Sequence, residues 1–496
     1  MVPEEFKNAY NIIDTLERSG YEAFFVGGSV RDYLMNNQIA DIDITTNATP
    51  EEIIELFTKT IPTGIEHGTV TVVTDKGNYE ITTYRTESTY INYRKPENVQ
   101  FVRELKEDLK RRDFTMNAIA MTKDGQLKDF YNGFQHIKNK QICAVGIANE
   151  RFQEDALRII RGLRFQSTLG FNIVDDTYKA IVKHHRLLKE VAIERVNVEL
   201  NKLVKGKYLI QTLIMIRKDL LLEALPFFKY INQSDFNLLI NILNELTVDE
   251  HNIHNTINGR RKKVFQLDYN DFIGLICLIK QFNNSELIIS NDNGLMVYDE
   301  VIDELSKLKL SRHSVKYIKA YDKLCANLIE IMNLFYNGSL SRGDIVKYDL
   351  PIEYINIHTI DHEFMRKFYK YYISQYQFNH ETLIFVLTCL KLIFKELNQS
   401  HELEEQQSIQ LETFDFNTYC IDEIDRIIDW LNKAESRLYK INDLEIDGHE
   451  LKSMQFIKEG KMIKYWLNAC VLNYFINPTD MNSKIKQVQF LKQFEL

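Results

Sequence analysis

Residues Gly27 to Asp43 read GGSVRDYLMNNQIADID, and the fold of the chain follows from how that stretch is parsed. The apolar run Ala23 to Val26 before it is strand-like, the double glycine punctuates it, and a short helix then carries Arg31 and Asp32. Without a Cβ, Gly27 and Gly28 let a phosphate approach the backbone. The helix they open offers free N–H groups to an anion, and Arg31, one turn inside, can grip it. The stretch closes on Asp41 and Asp43 in a strand-like segment, Asp41 to Thr45. Its two-residue period puts both carboxylates on one face and turns Ile42 to the core. Two carboxylates so placed can hold two Mg2+ ions for metal-assisted phosphoryl or nucleotidyl transfer. An isolated Asp-x-Asp is more often a pair of solvated surface acids, so the joint arrangement carries the reading.

That arrangement resembles motif A of the class II tRNA nucleotidyltransferases, the CCA-adding enzymes and bacterial poly(A) polymerases of the polymerase-β superfamily, written GG-x-V-R-D-x-L, a short spacer and D-x-D. The resemblance implies an α+β fold: an N-terminal polymerase-β-like nucleotidyltransferase head of mixed sheet and helices, followed by an all-α neck, body and tail. Glycine usage agrees, since 12 of the 19 glycines fall in the first 206 residues and the chain has only 7 prolines, leaving the remainder sparse in helix breakers. The expected divisions are residues 1–125 for the catalytic head, 126–206 for a base-recognising neck, 207–336 for a helical body and 337–496 for a helical tail that binds tRNA.

Composition excludes several classes. With 45% hydrophobic and 26% charged residues over 496 positions, the chain is globular and long enough for several domains. Six scattered cysteines without a CxxC argue against a disulfide framework or a zinc site and fit a reducing cytoplasm. The start MVPEEFKN lacks a basic and apolar leader, and the apolar run Ile384 to Phe394 is short and interrupted by Thr388 and Lys391, so no signal peptide or membrane span is expected. A formal net charge of -9 opposes an evenly basic nucleic-acid binder but leaves room for a local basic surface.

In chain order, Thr49, Pro50 and Glu52 are the N-cap, first position and capping-box acid of a helix. Gly64 to Val73 reads as a turn and an alternating strand, with His67 a turn residue, and Asn78 to Arg85 as another strand. Glu80 on that strand is either an exposed residue or, as the family resemblance implies, a third metal carboxylate. Thr86 to Phe101 has no period and contains Pro96, which predicts a long functional loop in which Arg94 and Lys95 meet phosphate or solvent. Asp108 to Met121, DLKRRDFTMNAIAM, resembles motif B. Arg111 and Arg112 offer guanidinium forks to a triphosphate, with Arg112 preferred because neighbours cannot both face one ligand. Asp113 can accept from a ribose hydroxyl, and Asn117 holds the loop. Asp129 and Gly133 resemble motif C, a hinge between head and neck, although Asn132 and His136 stand where acids are frequent.

Arg151 to Gly170 is the second informative stretch. A single helix there puts Ala156, Leu157, Ile160 and Leu163 in one stripe and Asp155, Arg158, Arg161 and Arg164 in another. Such a row is also what a solvated helix face shows. Beside a nucleotide it acquires meaning: cytosine and adenine each present an amine donor next to a ring-nitrogen acceptor, which a carboxylate and a guanidinium complement. Uracil and guanine reverse the order and leave polar groups unpaired. Glu154, Asp155 and Arg158 match motif D of the family, where side chains replace a template, and Arg161 and Arg164 continue toward the phosphates or the RNA end. Ala192 to Val204 resembles motif E, with Glu194 and Arg195 pairing locally or buttressing the neck.

Beyond Gly206, apolar stripes such as Phe236, Leu239, Leu243 and Leu246 are helical core. Basic groups at Gly259 to Lys263 and at Lys452, Lys458, Lys461 and Lys464 can track an RNA backbone or be solvated faces. Ile446 to Leu451 resembles a tail motif of bacterial members, and the extra length of the chain is placed between Asn337 and Trp430. Together these readings predict a template-independent enzyme that adds CCA to tRNA from CTP and ATP with two Mg2+. The alternatives are a poly(A) polymerase, a CC- or A-adding enzyme, or an inactive RNA-binding protein. The oligomeric state is left open, a homodimer included.

Overall fold

A computed structural model describes residues 2–218 apart from positions within 88–98, and beyond them chiefly 231–252, 267–283, 308–336, 380–402 and 409–432, with scattered positions elsewhere between 225 and 492. The chain divides into two compact units. One comprises Met1–Tyr230 with Leu267–Tyr269 and Lys307–Lys309; the other comprises Ile231–Gln266, Asn270–Ser306 and Leu310–Leu496.

The first unit opens with helices α1 (Glu4–Lys7) and α2 (Tyr10–Arg18), then strand β1 (Ala23–Val26), helix α3 (Gly28–Leu34), strand β2 (Asp43–Thr46) and helix α4 (Pro50–Leu56). Strands β3 (Thr60–Gly64), β4 (Thr69–Thr74) and β5 (Gly77–Thr83) form a meander. The short strands β6 (Arg85–Glu87), β7 (Tyr90–Ile91), β8 (Lys95–Pro96) and β9 (Val99–Phe101) precede β10 (Ile119–Met121) and β11 (Leu127–Asp129). Seven of these make one sheet in the order β11-β10-β1-β2-β5-β4-β3. Its pairings are antiparallel except that between β2 and β5. Phe25, Ile44, Val70 and Ile81 are fully buried along it, and Phe6 meets the Phe25 ring at 4.7 Å. Helix α4 starts as its sequence requires, with Thr49 Oγ1 accepting the Glu52 N–H and Glu52 accepting the Thr49 N–H.

Two expectations change here. Strand β2 begins at Asp43, so Asp41 lies outside it. Register explains why: Val26 pairs with Asp43, and Gly27 then turns the partner strand away with φ 79°, leaving nothing opposite Asp41. Within Thr86 to Phe101, β6 pairs with β9 and β7 with β8, which makes a two-stranded arm where a loop is expected. The β-formers Thr86, Tyr90, Ile91, Val99 and Phe101 are spaced by polar residues that hide any period. Arg94 lies outside the described residues, as does the side chain of Lys95.

After the sheet come α5 (Leu105–Lys110), α6 (Gly133–Lys138), α7 (Ala148–Glu154), α8 (Leu157–Leu169), α9 (Asp175–His184), α10 (Ile193–Val204) and α11 (Leu209–Lys218). Arg151 to Gly170 is therefore two helices, not one. Asp155 ends α7 in extended geometry, φ -136° and ψ 103°, and its Oδ1 accepts the Leu157 N–H, so the side chain that closes one helix caps the next. The apolar stripe survives the break: Ala156, Leu157, Ile160 and Leu163 are buried. Asp129 caps α6 by accepting the N–H groups of Gly133 and Phe134 at 2.8 and 2.9 Å. Gly133 sits so close to the Thr115 carbonyl that an added Cβ would meet it at 2.2 Å.

The second unit, by itself, is helical over its described residues, including Gln233–Asn252, Arg312–Tyr336, His380–Glu402 and Ile409–Asn432. The last two pack together, with Leu383, Val386, Leu390 and Phe394 buried on one and Ile424, Ile427 and Leu431 on the other. Phe236, Leu239 and Leu243 are buried as their spacing predicts. Among the described residues no helix is long and apolar enough to cross a membrane. The basic groups at 259–263 and at Lys452, Lys458, Lys461 and Lys464 (Lys458 and Lys461 included) lie outside the described residues, as do Asp447, Gly448 and Glu450 of the tail motif.

Candidate active site

Strand β2 and the end of α5 converge at the glycine turn. A Cβ built on Gly27 would stand 3.2 Å from Arg112 Nη1 and 3.6 Å from Asp43 Oδ2, so a side chain here would fill the space those two groups border. Gly28 begins α3, and Arg31 follows within it. Arg31 turns to the fold: Nε and Nη2 each lie 3.0 Å from the Asp32 carboxylate, Nη1 donates to Asn117 Oδ1 at 2.7 Å, and the guanidinium stands 5.3 Å from the Phe165 ring centre.

Asp43 and Glu80 are register partners on the adjacent parallel strands β2 and β5. Burial raises the Asp43 carboxyl above its ordinary range; Arg112 opposes this, while Glu80 and Asp41 add to it. Asp43 thus lies near enough to both Glu80 and Asp41 to feel their charge. They do not close into a ready cage, for among the described residues no group of three or more His, Cys, Asp or Glu is arranged to hold a metal ion. Glu80 is exposed and Asp41 lies off the strand. The donor set nevertheless fits a divalent ion. It consists of oxygen ligands in an acidic cluster whose half-buried member, Asp43, is raised first by burial and further by Glu80 and Asp41, which is the electrostatic condition a hard cation relieves.

The end of α5 supplies the arginines. Asp108, fully buried, lies 2.9 Å from Arg111 Nε and 3.5 Å from Arg112 Nη2, while the buried Nε of Arg112 has no hydrogen-bond partner among the described residues. Asp113, 8% exposed, accepts four hydrogen bonds: from the Phe114 N–H, from Asn117 Nδ2, and from Arg161 Nε and Nη2 at 2.8 and 2.6 Å. Burial pushes this carboxyl up, but Arg161 and those donors outweigh it and hold it well below the usual carboxylate range. Its expected ribose contact would exchange one of these bonds.

Asp155 and Arg158 stand at the break and in the first turn of α8, each held by other groups. Asp155 Oδ2 accepts from Arg195 Nη2 at 2.8 Å. Arg158, buried, donates to Glu154 at 2.8 Å and to the Arg111 carbonyl at 2.8 Å. Arg161 also reaches Glu199 at 3.3 Å, and its proton is held more tightly than usual, first by Asp113. Arg164 stacks 3.8 Å from the Phe165 ring centre, and its Nε lies 3.0 Å from Glu199 Oε2 at an angle that makes no hydrogen bond. Burial pulls its guanidinium down to about 10 against the pull of Glu199. Arg31, Arg161 and Arg164 therefore surround one phenylalanine. Sequence reasoning gave no site role to Phe165, Asp108, Arg195 or Glu199. The only available signal was Arg195 and Glu199 one helical turn apart on α10.

The Poly A polymerase head domain family matches residues 23–143, and the family described as the probable RNA and SrmB-binding site of polymerase A matches 170–231. A CCA-adding enzyme of Bacillus cytotoxicus is 53% identical over 224 residues, covering 45% of this chain and 56% of that protein. One of Bacillus cereus (strain AH187) is 51% identical over 236 residues, covering 48% and 59%. The match thus spans little more than half the length of these curated relatives. Among solved structures, the Bacillus stearothermophilus CCA-adding enzyme in complex with CTP aligns over 100% of this chain and 99% of its own, with a TM-score of 0.63 and 26% identity. The Thermotoga maritima CCA-adding enzyme complexed with tRNA_CCA shares the fold, with a TM-score of 0.57 at 17% identity, over 99% and 96%.

Proposed function

We infer that the chain belongs to the CCA-adding enzymes and that it adds CCA to the 3′ end of tRNA from CTP and ATP, releasing pyrophosphate. One observation carries the reading: Gly27, Asp43 and Arg112, from a turn, a strand and a helix end, border one space that a Cβ would fill. The 51–53% identity to CCA-adding enzymes supports the substrate class. Asp41, Asp43 and Glu80 would hold Mg2+, two ions in our reading; when bound, these supply charge neutralisation and lower the barrier to attack at phosphorus. The chain's own residues align the reactants. Gly27 and Gly28 let the triphosphate approach the backbone, and Arg112 offers its unpartnered Nε and its Nη1 to it. Arg31, Arg161 and Arg164, gathered around Phe165, add positive charge nearby. Asp113 fixes Arg161 and exchanges a bond for the ribose hydroxyl. Asp155 and Arg158 read the base, accepting C and A and refusing U and G. The tRNA 3′-hydroxyl attacks the α-phosphate without a covalent enzyme intermediate, so acceleration comes from alignment and charge stabilisation. Six free cysteines suit a cytoplasmic setting.

The test is product length. The protein is incubated with Mg2+, single labelled nucleotides and tRNAs lacking CCA, ending in CC or complete. Stepwise C, C, A addition that then stops supports the reading. Long A tails would assign a poly(A) polymerase, addition of only CC or only A a partial enzyme, and tight tRNA binding without incorporation an inactive RNA-binding protein.

A further inference from the structure

Asp108 is fully buried within the six-residue helix α5, and the reaction as described above does not use it. Its two oxygens are divided between consecutive arginines. Oδ1 accepts from Arg111 Nε at 2.9 Å, lies 2.9 Å from Arg111 Nη2, and accepts the Arg85 backbone N–H at 3.4 Å. Oδ2 is shared by Thr45 Oγ1 at 3.3 Å and Arg112 Nη2 at 3.5 Å. Arg111 is clamped, whereas Arg112 is only tethered. The Nε of Arg112 is buried without a partner, and its Nη1 is the group nearest to a Cβ at Gly27, beside Asp43. Thr45 lies two residues beyond Asp43 on the same strand and face, so the same carboxylate braces the strand that carries the candidate metal ligand.

Resting on the nucleotidyl-transfer reading, we propose that Asp108 is a positioning residue that holds the Arg112 guanidinium off Asp43 and aims its Nε and Nη1 at the triphosphate. Once the charge on Asp108 is removed, the strongest remaining attraction on Arg112 is Asp43. The guanidinium then moves onto Asp43, withdraws its donors from the triphosphate and competes with the divalent cation for the same oxygen.

Four proteins test this: wild type, Asp108→Asn, Arg112→Gln and the double variant, assayed for CTP incorporation into tRNA lacking CCA across a Mg2+ titration. Asp108→Asn is expected to raise the KM for CTP about tenfold, the size of one charge-assisted hydrogen bond, and to raise the Mg2+ concentration for half-maximal rate. At saturating CTP and Mg2+ its kcat stays within about threefold of wild type, a split that general loss of folded protein does not produce. In the Arg112→Gln background the same change is expected to alter KM by less than about twofold, because Asp108 acts through Arg112. Unchanged KM and Mg2+ dependence in Asp108→Asn overturns the proposal. So does a double variant whose KM differs more than about threefold from Arg112→Gln, a comparison that holds independently of the single variant's stability. Absence of incorporation by the wild type instead overturns the functional reading beneath it.

Discussion

Replacing Arg161 with methionine removes the main partner of a carboxylate that has little water to fall back on. Asp113 is 8% exposed and takes two of its four hydrogen bonds from Arg161. Breaking a buried pair by removing one member costs about 3–5 kcal/mol. A value at or below the bottom of that range applies here, because the Arg161 side chain is 32% exposed and the Asn117 and Phe114 donors remain. About 2–3 kcal/mol is then expected, which for a unit of this size lowers Tm by roughly 5–10 °C. The sign with pH is specific. In the wild type the Asp113 carboxyl is depressed, so its contribution is present above the unfolded value near ~4 and is lost as pH falls through the folded value. Without Arg161, burial prevails and the carboxyl is raised, so the cost grows as pH rises above ~4 and vanishes on protonation. Thermal unfolding of both proteins without nucleotide, at several pH values from 4.5 to 8, a range chosen about the ordinary carboxylate pKa, should show the deficit widest near neutrality and narrowing toward acid. A Tm loss under about 2 °C, or one independent of pH, would refute the reasoning.

Three further outcomes are expected. Asp43→Asn removes a charge that burial already disfavours, so unfolding without divalent ion should show unchanged stability or a gain of up to ~1 kcal/mol, while incorporation is lost; near-wild-type incorporation would sink the metal assignment. Gly133→Ala drives a Cβ to 2.2 Å from the Thr115 carbonyl and 2.7 Å from Ile119, so urea unfolding should show a loss of about 3 kcal/mol, and a variant as stable as wild type would contradict the packing. Asp155→Ala should cost ~1 kcal/mol as a lost cap and admit UTP and GTP at least about tenfold more readily relative to CTP, measured by single-nucleotide incorporation; unchanged selectivity would contradict the base-reading role.

Much of the first unit was legible because its signals are local. Thr49 and Glu52 specify a capping box wherever the chain goes, and Val70 and Val72 alternate into the core by strand geometry alone. The break at Asp155 was hidden because helical periodicity continues straight across it, and only the Asp side chain's bond to the Leu157 N–H reveals that it serves as a cap. Asp41 was read into a strand because period-2 geometry does not say where a partner ends; Gly27 ends it. The supports of the candidate site were silent for another reason. Arg195 reaches Asp155, and Glu199 reaches Arg161, across 40 and 38 positions, distances over which a single sequence carries no pairing signal.

The lone parallel pairing of the sheet has a kinetic consequence. Asp43 and Glu80 become neighbours only when β2 meets β5, a contact whose Thr45–Thr82 bond joins residues 37 apart. The β3–β4–β5 meander can form from near neighbours, but the acid pair must await closure of the crossover that contains it. The candidate acid pair therefore depends on a longer-range closure than the meander does. An insertion or deletion that shifts β5 by one residue would turn Glu80 to the opposite face while leaving every letter from Gly27 to Asp43 in place. Such a protein would keep the signature and lose the second acid.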